Sequence, residues 1–198
     1  MAVLIKLVVF SVFDGKLKIF LTKNINLPSG RIKTGISLDG SAKRIFKKSL
    51  NLPMGNFYLE QLYTFSESRK ESRIEVVYYV LVPHYSVPLC LKKMFVEGDK
   101  LSKDSDFKIS HYAVQRLQWK VEYTNVVYSL LPEEFTFSEL QETYEAILGK
   151  MLDKRNFRKK ILALSLLKDT GHLKKLGSAR PAEMFAFKKR ELTLVEVL

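Results

Sequence analysis

Residues Gly30 to Leu52 keep, without a gap, the spacing G-x5-E-x7-R-E-U-x-E-E-x-G-U, where U is a bulky apolar residue, and hold none of its glutamates. Gly30 takes the first glycine and Arg44 the arginine, while Phe46 and Leu52 take the two apolar positions. The four glutamate positions hold Ile36, Ile45, Lys48 and Ser49. With its carboxylates present, such a stretch gathers hard divalent cations, which take oxygen ligands and carry the charge developing on a diphosphate as it is cleaved. Two isoleucines, an ammonium and a hydroxyl offer no such ligand set, so no catalytic residue, metal ligand or cofactor is assigned. What remains is basic. Lys43, Arg44, Lys47 and Lys48 form a solvated helix face, or hold the diphosphate of a nucleotide-like molecule directly by ammonium and guanidinium, or extend a surface for nucleic acid.

A second cluster lies near the C-terminus. The chain of 198 residues carries a formal net charge of +12, and from Lys150 to Arg190 thirteen basic residues stand against three acidic ones. An excess of that size points to polyanions: nucleic acid, an anionic membrane surface or phosphorylated small molecules. Asp153 is placed to cap a helix running to about Leu167, whose buried stripe is Phe157, Ile161 and Leu164. Leu162 and Leu166 on the far side predict that its C-terminal half is buried nearly all round. Lys154, Arg155, Asn156, Arg158 and Lys159 occupy its first half, the end that a helix-turn-helix presents to the major groove. Arginine can bridge guanine O6 and N7, and asparagine can do likewise at adenine, so Arg155 and Asn156 are the base-reading candidates. Lys159, Lys160, Lys174 and Lys175 are assigned to phosphates, which position a protein without specifying sequence.

Several elements must position these groups. Val3 to Phe13 and Lys16 to Thr22 read as a hairpin turned at Asp14-Gly15. Ser41 to Leu50 reads as a short helix stopped by Asn51 and Pro53, and Phe57 to Phe65 and Ile74 to Val82 as strands, with Leu89 to Val96 as one more. From Tyr112 to Pro132 the period changes to that of an amphipathic helix linking two domains. Ser138-x-x-Gln141 then reads as a capping box opening a helix to Leu148, closed by Gly149. Beyond Gly171, His172 to Leu176 and Met184 to Phe187 flank Gly177-Ser178 as a hairpin. Helix, helix and hairpin in this order make a winged helix-turn-helix.

The spacing from Gly30 to Leu52 is that of the Nudix box. The segment Phe135 to Phe187, with the runs FTFSELQ, YEAILG, LDKRNFRKKIL and GSARPAEMFAF, closely resembles the C-terminal winged helix of the Nudix-related transcriptional regulators. DGKLKIFLTK, LPSG, YLEQLYTF and VVYYVLVP resemble the same family's N-terminal domain. The resemblance implies an α+β chain: a Nudix-like mixed-sheet α/β/α sandwich over 1–109, non-catalytic and effector-binding, followed over 110–198 by a linking helix and the winged helix. It further implies a homodimeric repressor that binds a double-stranded DNA operator and answers to an ADP-ribose-like or sugar-related effector. By matched positions, Lys154, Arg155, Asn156, Arg158 and Lys159 belong to the recognition helix, and Lys174, Lys175 and Arg180 to the wing. The stripped, basic box departs from the family, whose members often keep part of it.

Other residues read more plainly. Cys90, the one cysteine, sits between leucines as a small buried filler, and a reducing cytoplasm is the expected compartment. No apolar run reaches the roughly 18 to 20 residues that span a bilayer, so no membrane association is expected. His84, His111 and His172 lack metal-ligand spacing. Trp119 is assigned to packing or a dimer interface. Glu60, Glu67, Glu71 and Glu75 are the only nearby carboxylates from which a metal site could be rebuilt, and no metal is assigned to them. Two rivals are kept: a Nudix hydrolase with an atypical metal site, and a non-specific nucleic-acid-binding protein.

Overall fold

The computed structural model describes residues 2–55, 57–67, 73–98, 105–175 and 181–197. The chain divides into two compact units, Met1–Ser11 with Leu17–Arg116, and Val12–Lys16 with Leu117–Leu198.

The first unit is built on a six-stranded mixed sheet. Strands β1 (Ala2–Phe13), β2 (Lys16–Phe20), β3 (Ser29–Arg31), β4 (Tyr58–Glu67), β5 (Arg73–Leu81) and β6 (Phe95–Val96) take the order β4-β5-β1-β2-β6, with β3 paired antiparallel to β1. The β1 run Leu7 to Phe10 is completely buried. It pairs in parallel with β5 from Ala2 opposite Arg73 to Phe10 opposite Leu81, and a strand covered on both faces reads as a continuous apolar run. Asp14 (φ 54°) and Gly15 (φ 70°) turn the hairpin, both positive as a type I′ turn requires.

Helix α1 (Leu38–Leu50) starts earlier than its apolar pattern predicts, because the Ser37 hydroxyl accepts from the Gly40 amide at 3.0 Å and caps it. Ala42, Ile45, Phe46 and Leu50 are its buried face. It ends at Asn51, left-handed at φ 53°, where the motif frame has its second glycine; asparagine is among the few non-glycine residues that enter this region readily. The segment expected as a strand from Leu89 is instead the short helix α2 (Leu89–Lys92), followed by β6. Pro88 starts that turn of helix, which leaves Leu89 82% exposed and Cys90 exposed as well; the cysteine is not a core filler.

Helix α3 spans Ser105–Tyr123, and a 3-10 turn at Val126–Ser129 follows it. The linking helix therefore begins and ends earlier than its pattern predicts. Its buried stripe is Ile109, Ala113, Leu117 and Val121, while Trp119 is 44% exposed and is not core packing. At the start of α3, Asp106 binds the Lys6 ammonium at 2.7 Å and the Leu27 amide at 2.8 Å, and Lys6 also meets Glu75 at 3.0 Å. A buried charge is retained at tolerable cost only with such partners.

The second unit holds α4 (Phe137–Leu148), α5 (Lys154–Ala163) and a three-stranded antiparallel sheet ordered β7-β9-β8, from β7 (Phe135–Thr136), β8 (Leu167–Lys174) and β9 (Ala182–Phe187). Its nucleus is aromatic. The Phe157 ring meets Phe137 at 5.8 Å and Tyr144 at 5.2 Å, and Phe137 meets Phe185 at 5.9 Å, edge-on contacts that suit ring quadrupoles. Among the described residues no helix is long and apolar enough to cross a membrane.

Candidate functional site

The local chemistry around α4 sets the orientation of everything basic behind it. Pairing of Phe135 and Thr136 with β9 holds the chain extended up to Thr136, so the helix opens there and not at Ser138. The capping box is Thr136 with Glu139: the Thr136 amide donates to the Glu139 carboxylate at 2.7 Å, and the Glu139 amide donates to the Thr136 hydroxyl at 3.2 Å. Ser138 is exposed, and Gln141 instead donates to Glu145 and to the Leu152 carbonyl. Burial raises the Glu139 pKa, but the Lys174 ammonium at 2.6 Å and the Thr136 bonds outweigh it, and the net shift is downward. Gly149, left-handed at φ 67°, turns the chain toward α5.

Asp153 caps α5, its carboxylate accepting from the Asn156 amide at 2.8 Å. Only Phe157 and Ile161 are buried along it. The helix ends at Ala163, short of the expected Leu167, because Ser165 at φ 54° reverses the chain into β8, where Leu167 pairs with Phe187. Leu162 is 44% exposed, which corrects the expectation that the C-terminal half is buried all round.

Lys154, Arg155, Asn156, Lys159 and Lys160 are exposed along α5. Arg158 differs from them. Its guanidinium lies 4.8 Å from the Phe137 ring centroid and 5.6 Å from that of Phe185, and it pairs with Glu183 of β9 at 3.1 Å. Arginine stacks well on aromatic faces while forking to a carboxylate, so Arg158 ties α5 to β9 and to the start of α4. On the hairpin, Lys174 is half-buried against Glu139 and Lys175 is exposed; Arg180 and the expected turn residues Gly177 and Ser178 lie outside the described residues. His172 is exposed, and the Glu134 carboxylate beside its ring raises its pKa.

Sequence reasoning missed the role of Arg190. Its guanidinium donates to the carbonyls of Tyr128, Pro132 and Leu131 at 2.5, 2.8 and 2.7 Å, so this cation of the basic segment pins the chain after β9. A lysine-and-arginine run conceals such use, because three carbonyl acceptors from another segment leave no mark in the local sequence.

In the first unit, the motif frame forms a cleft of about 710 Å³. Arg31 and Lys33 reach it from β3 and the following loop, Arg44 and Lys48 from α1, and among the described residues no carboxylate lines it. Arg44 and Lys48, four apart on one helix face, are in the lining; Lys43 and Lys47 are exposed and are not. Arg44 donates from Nη2 to the Arg31 carbonyl at 2.9 Å, while its Nε is buried without a hydrogen-bond partner among the described residues. Ile45, in a glutamate position, packs on Gly30, where an added Cβ would stand 3.1 Å from its Cγ1. A divalent cation does not fit this set: the lining oxygens of Thr22, Asn24, Asn26, Ser29 and Ser49 are neutral, and four cationic side chains stand among them where anionic ligands are needed. Elsewhere, Glu60 accepts from the Tyr58 and Tyr79 hydroxyls, which with burial keeps the Tyr79 phenol well above its usual range, and Glu75 is paired with Lys6. The Glu67 side chain and Glu71 lie outside the described residues. No group of three or more His, Cys, Asp or Glu able to hold a metal is present among the described residues.

Fold and site define a class of protein: a Nudix-like domain followed by a winged helix. Residues 127–187 match the family model of the NrtR DNA-binding winged helix domain. The chain is 27% identical to the ADPR responsive transcriptional repressor NtrR of Acinetobacter baylyi, over 92% of this chain and 80% of that one. Among solved structures, Shewanella oneidensis NrtR complexed with a 27mer DNA superposes with a TM-score of 0.80 at 24% identity, over 94% of this chain and 93% of that one. A MutT/nudix family protein from Enterococcus faecalis superposes with a TM-score of 0.67 at 18% identity, over 94% and 86%. The chain is thus similar to Nudix-related transcriptional regulators, and its residues 127–187 match a DNA-binding winged helix model.

Proposed function

We propose that the protein is a sequence-specific DNA-binding repressor acting as a homodimer, with an effector-sensing Nudix-like domain over 1–109 and a linking helix and winged helix over 110–198. The observation that carries this reading is the α5 surface: Asp153 caps a helix whose outward residues Lys154, Arg155, Asn156, Lys159 and Lys160 are all exposed, on a domain matching a DNA-binding winged helix. Arg155 and Asn156 read base edges, and Lys159, Lys160 and Lys175 meet phosphates. Lys174 and Arg158 sit at the margin of this surface, each held by a carboxylate; Arg180 is assigned to the wing by resemblance alone. Two recognition helices would occupy half-sites about one helical turn apart.

The effector is of the ADP-ribose type or a related sugar phosphate, as the Acinetobacter relative's name suggests. It relieves repression by binding the DNA-incompetent dimer arrangement more tightly than the competent one. Hydrolysis is not part of this reading, because Ile36, Ile45, Lys48 and Ser49 replace the box glutamates.

Selection of genomic fragments by the purified protein tests the proposal. A shared palindrome among bound fragments, with affinity falling steeply as salt rises, is the expected result. Binding without sequence enrichment would leave only a non-specific nucleic-acid binder, and steady turnover of ADP-ribose abolished by chelator would restore the hydrolase.

A further inference from the structure

The Nudix fold brings an expectation of divalent metal that the donor set of this cleft does not meet. We propose that the cleft between the β3 loop and α1 binds a diphosphate-bearing small molecule directly, through Arg31, Lys33, Arg44 and Lys48, with no divalent ion between protein and phosphate. The proposal rests on reading the first domain as the sensor.

Charge is the first support. Four cations from two segments line one cleft and, among the described residues, no carboxylate does, so they repel one another until an anion enters. Water and salt screen such groups when they stand apart on a surface, but a concave site concentrates their field on whatever occupies it. A divalent cation would meet the same repulsion.

Geometry is the second. The cleft volume of about 710 Å³ falls within the range of small-molecule sites. Arg44 is already oriented by its bond to the Arg31 carbonyl. The guanidinium carries five donors, of which the Arg31 carbonyl takes one, and guanidinium binds phosphate through parallel donors. Ile45 packed on Gly30 fills a glutamate position with hydrocarbon, so cations replace the metal and do not assist it.

Helix α1 contains its own control. Arg44 and Lys48 line the cleft, whereas Lys43 and Lys47 carry the same charge on the same helix outside the lining. A general electrostatic attraction would use all four; a built site uses two.

Calorimetry on the full-length protein, with ADP-ribose and with inorganic pyrophosphate, in excess EDTA and again with millimolar magnesium, tests this. Both probes are expected to bind in EDTA at least as well as with magnesium. Arg44→Gln and Lys48→Gln should each weaken binding by about tenfold or more, the size of a lost charge-assisted hydrogen bond. Lys43→Gln and Lys47→Gln should stay within about twofold, as exposed charges do. Lys48 is exposed, so its variant keeps the test open if Arg44→Gln fails to fold. Binding that requires magnesium would leave the sensor in place and overturn direct contact. Equal weakening by all four variants would overturn the built site. A protein that selects palindromic DNA yet binds neither probe in either buffer would overturn this inference while sparing the DNA-binding reading.

Discussion

The cleft of the first unit and the α5 surface of the second are both strongly cationic, and they differ in what stands beside their cations. In the second unit, carboxylates sort the basic residues: Glu183 takes Arg158 and Glu139 takes Lys174, and Arg155, Lys159 and Lys160 are left exposed. The paired cations build the domain and the exposed ones face solvent. In the cleft no carboxylate among the described residues performs this sorting. A basic residue therefore acquires its role from its neighbours, and a count of positive charges cannot separate a structural arginine from a contacting one.

The largest expected effect strikes the nucleus on which this sorting depends. Phe157→Ala removes the ring that joins α5 to Phe137 and Tyr144, and should cost about 3–5 kcal/mol of unfolding free energy, measured by denaturant titration. A loss below about 1 kcal/mol would mean that α5 is not held by that aromatic cluster.

Arg155→Ala comes next. Operator affinity should fall by about 1–3 kcal/mol, with relaxed discrimination at one base pair. Gel shifts in which operator and random DNA lose equally would reassign Arg155 to phosphate.

Arg158 and Lys159 sharpen the comparison itself. The Lys159→Ala variant should reduce the slope of log affinity against log salt by about 1, as a lost phosphate contact does. In contrast, Arg158→Ala should leave that slope unchanged and lower stability by about 1 kcal/mol through its lost stacking. A reduced slope for Arg158→Ala would place its guanidinium on DNA.

An effect of similar size is expected at Glu139. Glu139→Gln removes the charged half of the capping box and the partner of Lys174, with an expected loss of about 0.5–2 kcal/mol at neutral pH. Because the folded pKa is lowered from 4.5, the carboxylate stabilises the fold above that value, and its contribution disappears as pH falls through the lower, folded pKa. Thermal melts of wild type and variant should therefore converge in acid. A gap that stays constant below pH 4.5 would rule out this linkage.

How far these roles were legible varied by element. The Asp14-Gly15 hairpin, the Asp153 cap and the buried face of α1 could be read directly, because each rests on residues close in sequence. The α4 capping box was misplaced by two residues because Ser138 and Gln141 satisfy the local pattern as well as Thr136 and Glu139 do. Pairing of Phe135 with Phe185, fifty positions away, decides between them. Cys90 was misread for a similar reason: flanking leucines suggest burial, yet the turn at Pro88 exposes one of them along with the thiol. Arg31 and Lys33 were missed as cleft residues because nothing local marks the approach of β3 to α1.

By itself the chain's order of residues determined the emptied motif frame, the concentration of positive charge beyond Lys150, and the alternation of apolar positions that yields a mixed sheet followed by helices and a hairpin. These depend on periodicity and on which side chains carry charge, both carried in the one-dimensional order. Tertiary structure alone decided which cations are consumed in packing and which line a cleft. Pairing, stacking and burial act between residues tens of positions apart, and their energies fall off within a few ångströms, so only the folded chain can assign them.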